Sequence, residues 1–423
     1  MALTISVFWS ATLTIIAIAI APAVARFFHA PNVTPLFQVL SLSLLFGGTA
    51  EVPDALLRKD LLFRRRIVAD LCRTLGQGII SIVLAVAGAG PWAIVIGYVA
   101  GDLLWSVTAW AMIDYRPSRH FWRLDADTVR PLLRFGLPAV GSALLLVLVF
   151  NIDYLIVGRR LGPQALAYYR LAFLIPQTVI IYVYYVLSTV AFPLFSRTRG
   201  DRDRLERGYL ASNRMQSAYG AAVGVGIAAV APMLVLSLFG EKWAPAIVPL
   251  EAIALYAVFR AFGSGAGDVY KGIGRPRLSL WLAIVRLAIV APALWIAANP
   301  AWGRVSVLGY TTYKAVYYVS LVQLIVAFLM AILMQGVACR VIGISVKRLA
   351  RSFVPAILVG IGTAAGAGAV RLWWPLSDSN PIKLVIAIMA GAVGGLAALW
   401  LGDRAFIHEV VDLLQGLRRR AQR

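Results

Sequence analysis

Apolar residues run along this chain in blocks of about 20, and most of the charge collects in the short stretches between them. A helix rises about 1.5 Å per residue, so one such block crosses the roughly 30 Å hydrocarbon core of a bilayer. Twelve blocks are read, at roughly 4–26, 35–56, 67–88, 91–113, 133–157, 164–194, 215–239, 244–270, 279–299, 305–334, 353–374 and 382–402. They predict an all-α, polytopic membrane protein with about twelve transmembrane helices. The alternating segments of about 10 residues that mark a transmembrane β-barrel are absent from the sequence.

Composition agrees with this pattern: 61% of the 423 residues are hydrophobic and 14% are charged, and mean hydropathy is +0.81. A soluble domain is about half apolar and one quarter charged. The formal net charge of +21 would suggest nucleic acid on a soluble protein. Here the cations sit in loops between apolar blocks, so no nucleic-acid partner is expected. One set of loops carries 28 Lys and Arg, among them Arg64 to Arg66, Arg116, Arg119, Arg123, Arg197, Arg199 and Arg418 to Arg420. The other set carries 6. The cation-rich side faces the cytoplasm, which places both termini there. The tail after residue 402 has Phe406, Val410, Leu413, Leu414 and Leu417 on one helical face. It reads as a basic amphipathic helix at the anionic leaflet, with membrane lipids as its partner.

The blocks repeat. Ala30-Pro31-Asn32-Val33-Thr34-Pro35-Leu36 is similar to Ala244-Pro245-Ala246-Ile247-Val248-Pro249-Leu250, and the same offset places Asp54 on Asp268. Ile96-Gly97-Tyr98 is similar to Leu308-Gly309-Tyr310. The first four spans therefore look like copies of spans seven to ten, and spans five and six have no counterpart before the first. The expected organisation is a four-helix lobe at 1–130 lacking about two N-terminal helices, and a six-helix lobe at 131–335. Two further helices follow at 336–402, and a tail at 403–423. Repeated halves around a midplane site are a recurrent transporter design.

Several motifs carry a family resemblance. Phe135-Gly136-Leu137-Pro138 is followed by Asn151-Ile152-Asp153-Tyr154-Leu155-Ile156-Val157-Gly158-Arg159, Leu161-Gly162 and Tyr168-Tyr169. Phe192-Pro193-Leu194-Phe195-Ser196-Arg197, Phe239-Gly240-Glu241-Lys242-Trp243 and Gly274-Arg275-Pro276-Arg277 come after them. In this order they resemble bacterial polysaccharide and O-antigen flippases of the Wzx type, within the multidrug/oligosaccharidyl-lipid/polysaccharide exporter superfamily. The resemblance implies two pseudo-repeated lobes around a cavity, with two C-terminal helices added. It implies a location in the bacterial cytoplasmic membrane and alternating access. Its cargo would be an undecaprenyl-pyrophosphate-linked oligosaccharide, and its partners the polysaccharide polymerase and chain-length machinery. The start of the chain departs from the family pattern, which leaves a non-transporting truncated paralogue as an alternative. An ion-coupled multidrug exporter of the same superfamily is another.

Charges inside the spans are the candidate site residues, because an intramembrane charge is costly and faces a cavity or a partner. Arg73, Arg170, Arg260, Arg286 and Lys314 could bind an anionic cargo, Arg by bidentate contact with phosphate. Tyr310, Tyr317 and Tyr318 are expected around Lys314, where their rings could lie against sugars. Arg260 and Lys314 are expected to lie deepest. Snorkelling to the interface is the competing reading for Arg73 and Arg286, and Lys383 is expected to snorkel outward. Asp102, Asp153 and Asp268 could take up a coupling ion. Each could instead form an ion pair, Asp153 with Arg159 or Arg160, and Asp268 with Arg260.

Other chemistry finds little support in the sequence. His29, His120 and His408 are scattered, Cys72 and Cys339 are isolated, and neither metal spacing nor a phosphate-binding Gly-rich loop is present. No catalytic constellation, cofactor or metal is expected, and an enzyme is not.

Overall fold

The computed structural model describes residues 2–115, 126–184, 188, 195, 201–307, 309–373 and 381–410. The loop cations at 116, 119, 123, 197 and 199, His120 and the tail beyond 410 lie outside these residues, as does most of the 192–197 motif. The chain divides into two compact units, Met1–Leu148 and Val149–Arg423.

The first unit holds α1 (Ala2–Phe27), α2 (Thr34–Leu40), α3 (Leu42–Lys59), α4 (Phe63–Val86) and α5 (Pro91–Ala111). Pro91 opens α5, where a missing N–H costs nothing and the fixed φ suits the helix. Small residues let α3, α4 and α5 approach closely around Ala50, Ala69, Trp105 and Ala109. Buried Asp54 on α3 accepts from Arg66 of α4 at 2.8 Å and also from Arg58. These bonds fix the turn between the two helices.

Helix α6 (Ala126–Pro176) breaks at Gly162, whose φ of 83° and ψ of 178° no helix accommodates. A straight helix would separate residues 153 and 169 by about 24 Å. Instead the Tyr169 hydroxyl donates to Asp153 at 3.0 Å, so the chain doubles back at Gly162. The two legs correspond to the expected spans at 133–157 and 164–194, and the glycine of the Leu161-Gly162 motif is the corner.

The second unit continues with α7 (Arg202–Phe239), α8 (Ile247–Gly272) and α9 (Pro276–Ala297). A hairpin follows, β1 (Arg304–Val307) and β2 (Tyr310–Tyr313), antiparallel with Arg304 opposite Tyr313. Then come α10 (Lys314–Ile342), α11 (Val346–Ser352), α12 (Val354–Trp373) and α13 (Pro381–Gly402). Gly362 and Gly366 of α12 meet Ala390 and Gly394 of α13 so closely that a Cβ on Gly366 would overlap the Ala390 carbonyl. A buried polar chain joins α7, α10 and α11. Tyr209 donates to Gln335 at 2.5 Å, Gln335 to Asn213 at 2.9 Å, and Asn213 to Ser352 at 2.9 Å.

Eleven helical stretches among the described residues are long and apolar enough to cross a membrane, and Phe150–Tyr184, one of these, contains the Gly162 corner. Apolar stripes such as Val393, Leu396 and Trp400 on α13 stand exposed, as a lipid-facing surface requires. The protein is a multi-pass helical membrane protein.

The repeat has a structural counterpart. α1, α2 with α3, and α4 follow the order of α7, α8 and α9, each set with a 3₁₀ turn (Pro31–Val33, Glu241–Ala246) after its first helix. Ile96-Gly97-Tyr98 breaks the correspondence, because it lies inside α5 whereas Gly309 and Tyr310 form the turn and strand of the hairpin. The hairpin is an insertion between α9 and α10, where the first copy has only the Ala87–Gly90 turn. The expected span at 305–334 accordingly begins at Lys314, which is the first residue of α10 rather than a deep one. Lys383, near the start of α13, is 4% exposed. Phe406 of the tail is buried beneath Arg214, which also bonds Asp403 at 2.5 Å, so this part of the tail packs on α7.

Candidate functional site

The strongest concentration of polar chemistry in an apolar setting centres on Tyr256 of α8, which is buried. One turn along the same helix, Arg260 donates to the Tyr256 hydroxyl at 3.3 Å. From α9, Arg286 donates to the same oxygen at 3.1 Å. Among the described residues no carboxylate lies within ion-pair distance of Arg286. The Arg286 guanidinium has five N–H donors, and one phenol oxygen uses only part of that capacity. Two like charges this close repel strongly where the dielectric is low, and a bound anion removes that repulsion.

Aromatic rings surround the pair. Phe173 packs edge-on to Tyr256 with centroids 5.4 Å apart, and Tyr154 and Tyr169 pack on Phe173 at 5.9 and 5.0 Å. The Arg260 guanidinium lies 5.2 Å above Phe150. Behind this wall Asp153 accepts from Tyr169 at 3.0 Å and from Gln323 of α10 at 3.1 Å. The helix corner at Gly162 brings Asp153 and Tyr169 together, and α8, α9 and α10 supply the rest. Asp153 does not pair with Arg160, which turns to the Ala298 carbonyl at 3.2 Å and to the Trp295 ring at 4.5 Å.

The remaining candidates lie elsewhere. Arg73 and Asp102 form one ion pair at 2.7 Å in the Met1–Leu148 unit, with Arg73 4.6 Å from the Trp105 ring. Asp268 hydrogen-bonds Ser188 and lies 3.9 Å from Lys271. Lys314 sits at the end of the hairpin, 5.9 Å from the Tyr318 ring, and Tyr317 and Tyr318 stack with centroids 5.6 Å apart. Tyr310 is in β2, and Arg170 is exposed on the return leg of α6. Sequence reasoning passed over Phe173 and Gln323 as site residues. Gln323 had a signal, since it is a lone amide amid an apolar block.

Residues 1–248, more than half of the chain, match the family described as "Polysaccharide biosynthesis protein". The chain belongs to this family. Among curated relatives it is 24% identical over 266 residues to the teichuronic acid biosynthesis protein TuaB of Bacillus subtilis, covering 62% of this chain and 54% of TuaB. It is 23% identical over 286 residues to the lipopolysaccharide biosynthesis protein WzxC of Escherichia coli, covering 66% of this chain and 57% of WzxC. With the succinoglycan biosynthesis transport protein ExoT of Rhizobium meliloti it shares 25% over 297 residues, covering 68% of this chain and 59% of ExoT. The chain thus spans between about half and three-fifths of these relatives' lengths.

Solved structures share the fold. The inward closed conformation of the lipid II flippase MurJ superposes with a TM-score of 0.70 at 13% identity, covering 96% of this chain and 84% of MurJ. An inward-facing multidrug resistance MATE transporter of the MOP superfamily gives 0.65 at 18% identity, covering 81% and 79%.

Proposed function

We propose that this protein exports an oligosaccharide carried on a polyprenyl pyrophosphate, moving it from the cytoplasmic to the outer leaflet by alternating access. The cargo would serve a surface polysaccharide of O-antigen, exopolysaccharide or teichuronic-acid type. The observation that carries this reading is the convergence of Arg260 and Arg286 on Tyr256 within an aromatic wall, in a chain whose family serves polysaccharide biosynthesis. A pyrophosphate is a dianion or more, and two guanidinium groups can grip it through paired N–H donors. Tyr256 holds both in place until cargo arrives.

On this reading the protein is a transporter rather than an enzyme. It resides in the bacterial cytoplasmic membrane with both termini inside, as the excess of Lys and Arg on one set of loops supports. Residues 1–130 and 131–335 act as its two pseudo-repeated lobes, and 336–402 are an addition. Asp102, with its ion pair to Arg73, and Asp153, with its hydrogen bonds to Tyr169 and Gln323, serve to position neighbours before any ion coupling. Arg170, Lys314, Tyr317 and Tyr318 meet cargo at a later stage of its path. A cation exporter would present its carboxylates to the site, whereas here the cations do so. The polysaccharide polymerase and chain-length proteins are the expected partners.

The test is deletion in the host. Lipid-linked oligosaccharide should accumulate on the cytoplasmic leaflet and surface polysaccharide should fall. Unchanged polysaccharide with no accumulation, in a strain without a second exporter of this type, would remove the proposal.

A further inference from the structure

A concave site lies at the hairpin, at the opposite end of α8 from Lys271. A cleft of about 370 Å³ opens between β1–β2, the return leg of α6 and the 3₁₀ turn after α7. That size falls in the range of small-ligand sites, about 300–1,000 Å³. Tyr168 and Tyr313 line it as neighbours, with rings tilted by 30° and centroids 6.2 Å apart. Their positions are fixed by side-chain bonds. The Tyr313 hydroxyl donates to Gln164 at 3.0 Å, and the Gln164 amide donates to the Tyr168 hydroxyl at 3.3 Å. Tyr168 is further braced edge-on by Trp243 at 5.8 Å, and Thr312 anchors the hairpin by donating to the Pro245 carbonyl at 2.7 Å.

Tyrosine at a membrane boundary is commonly part of an aromatic belt turned toward lipid headgroups. These tyrosines instead lie side by side along a concavity, and polar groups line it with them. Arg304 lies on β1, 5.2 Å from the Tyr313 ring, and Glu241 also lines the cleft. Tyr310 also lines the cleft, and burial pushes its hydroxyl up, so it stays a neutral donor. Flat aromatic faces beside an amide, a carboxylate and a guanidinium suit a pyranose ring, whose C–H face packs on aromatics while its hydroxyls need both donors and acceptors. The hairpin that builds the cleft is an insertion between α9 and α10 without a counterpart in the Ala87–Gly90 turn of the first repeat. The cleft is therefore specific to one copy rather than a consequence of the shared fold.

We infer that the cleft between Tyr168, Tyr313, Gln164 and Arg304 is a saccharide-binding site at the cation-poor face of the protein, which receives the glycan portion of the cargo apart from its pyrophosphate. This rests on the proposed export function for the source of the glycan, while the sugar chemistry stands on the cleft itself. The site would engage sugars whether or not the lipid is attached.

The experiment uses the purified full chain in nanodiscs. The probes are oligosaccharides released by mild acid from the host's own surface polysaccharide, with maltotetraose for comparison. Saturation-transfer NMR should show transfer to sugar ring protons. Tyr313→Ala and, independently, the exposed-position variant Arg304→Ala should each weaken binding at least tenfold. Absence of transfer to every sugar in the unmodified protein would overturn the inference, and so would undiminished binding in both variants. The two readings fail separately. Sugar binding at the cleft in a strain whose glycan export is independent of this protein would remove the export function and leave the cleft. Dependent export with no sugar binding would do the reverse.

Discussion

Arg286 donates to the Tyr256 hydroxyl at 3.1 Å from a neighbouring helix, and Arg260 donates to the same oxygen from one turn along Tyr256's own helix. The tyrosine is therefore the fixed point that sets the spacing of two cations. Tyr256→Phe keeps the ring that packs on Phe173 and removes only the shared acceptor. Losing a hydrogen bond to a charged group costs about 1.5–3 kcal/mol. Export should fall by roughly tenfold or more, and the melting temperature in detergent should fall modestly. Unchanged export would show that the hydroxyl does not set the guanidinium spacing.

Arg73 and Asp102 are a structural pair on the geometry seen, at 2.7 Å with the acid largely buried. Removing one partner leaves an uncompensated charge, whereas removing both leaves none. Arg73→Ala should lower the melting temperature clearly, by an amount equivalent to about 3 kcal/mol at most, because Arg73 is itself partly exposed. The double variant Arg73→Ala/Asp102→Ala should be the more stable of the two. A thermal melt of both, with the double variant no better than the single, would contradict the assignment.

Gln335 links Tyr209 on one helix to Asn213, and through it to Ser352. Gln335→Leu fills the space but leaves the Tyr209 hydroxyl and the Asn213 side chain short of partners. A loss of about 1–3 kcal/mol is expected, read as a lower denaturation midpoint. An unchanged midpoint would mean that the network is remade by other partners.

The α12–α13 contact depends on the absence of side chains. A Cβ at Gly366 would meet the Ala390 carbonyl, which belongs to a helix backbone and cannot swing aside. Gly366→Leu should part these helices and reduce the yield of folded protein. Gly368→Leu, where a Cβ meets open space, should be tolerated. Fluorescence-detected size exclusion of the two variants separates these outcomes.

The length and spacing of apolar blocks made the membrane fold readable, because a bilayer demands about 20 apolar residues in each helix whatever the tertiary contacts. Arg260 and Arg286 stood out as charges inside such blocks. Their convergence on Tyr256 did not, because residues 30 apart in sequence meet only through the packing of α8 on α9. The bonds that Asp153 makes to Tyr169 and Gln323 were hidden for a similar reason. The nearby cations Arg159 and Arg160 were visible in sequence, whereas Gln323 is 170 residues away. The hairpin was missed because four-residue strands of Val, Thr and Tyr beside an apolar block read as more of the same block. That error also placed Lys314 too deep and matched Ile96-Gly97-Tyr98 to a turn.

The central claim is that two arginines on Tyr256 carry the pyrophosphate of a glycan lipid across the membrane. It is tested most directly in proteoliposomes holding the purified protein and a polyprenyl-pyrophosphate-linked oligosaccharide from the host. The fraction of oligosaccharide exposed on each leaflet is followed with a membrane-impermeant sugar-modifying enzyme. The unmodified protein should equilibrate the lipid between leaflets, and Arg260→Ala/Arg286→Ala should slow this at least tenfold while melting at a similar temperature. Equal translocation by the double variant, or no translocation by the unmodified protein, would contradict the account.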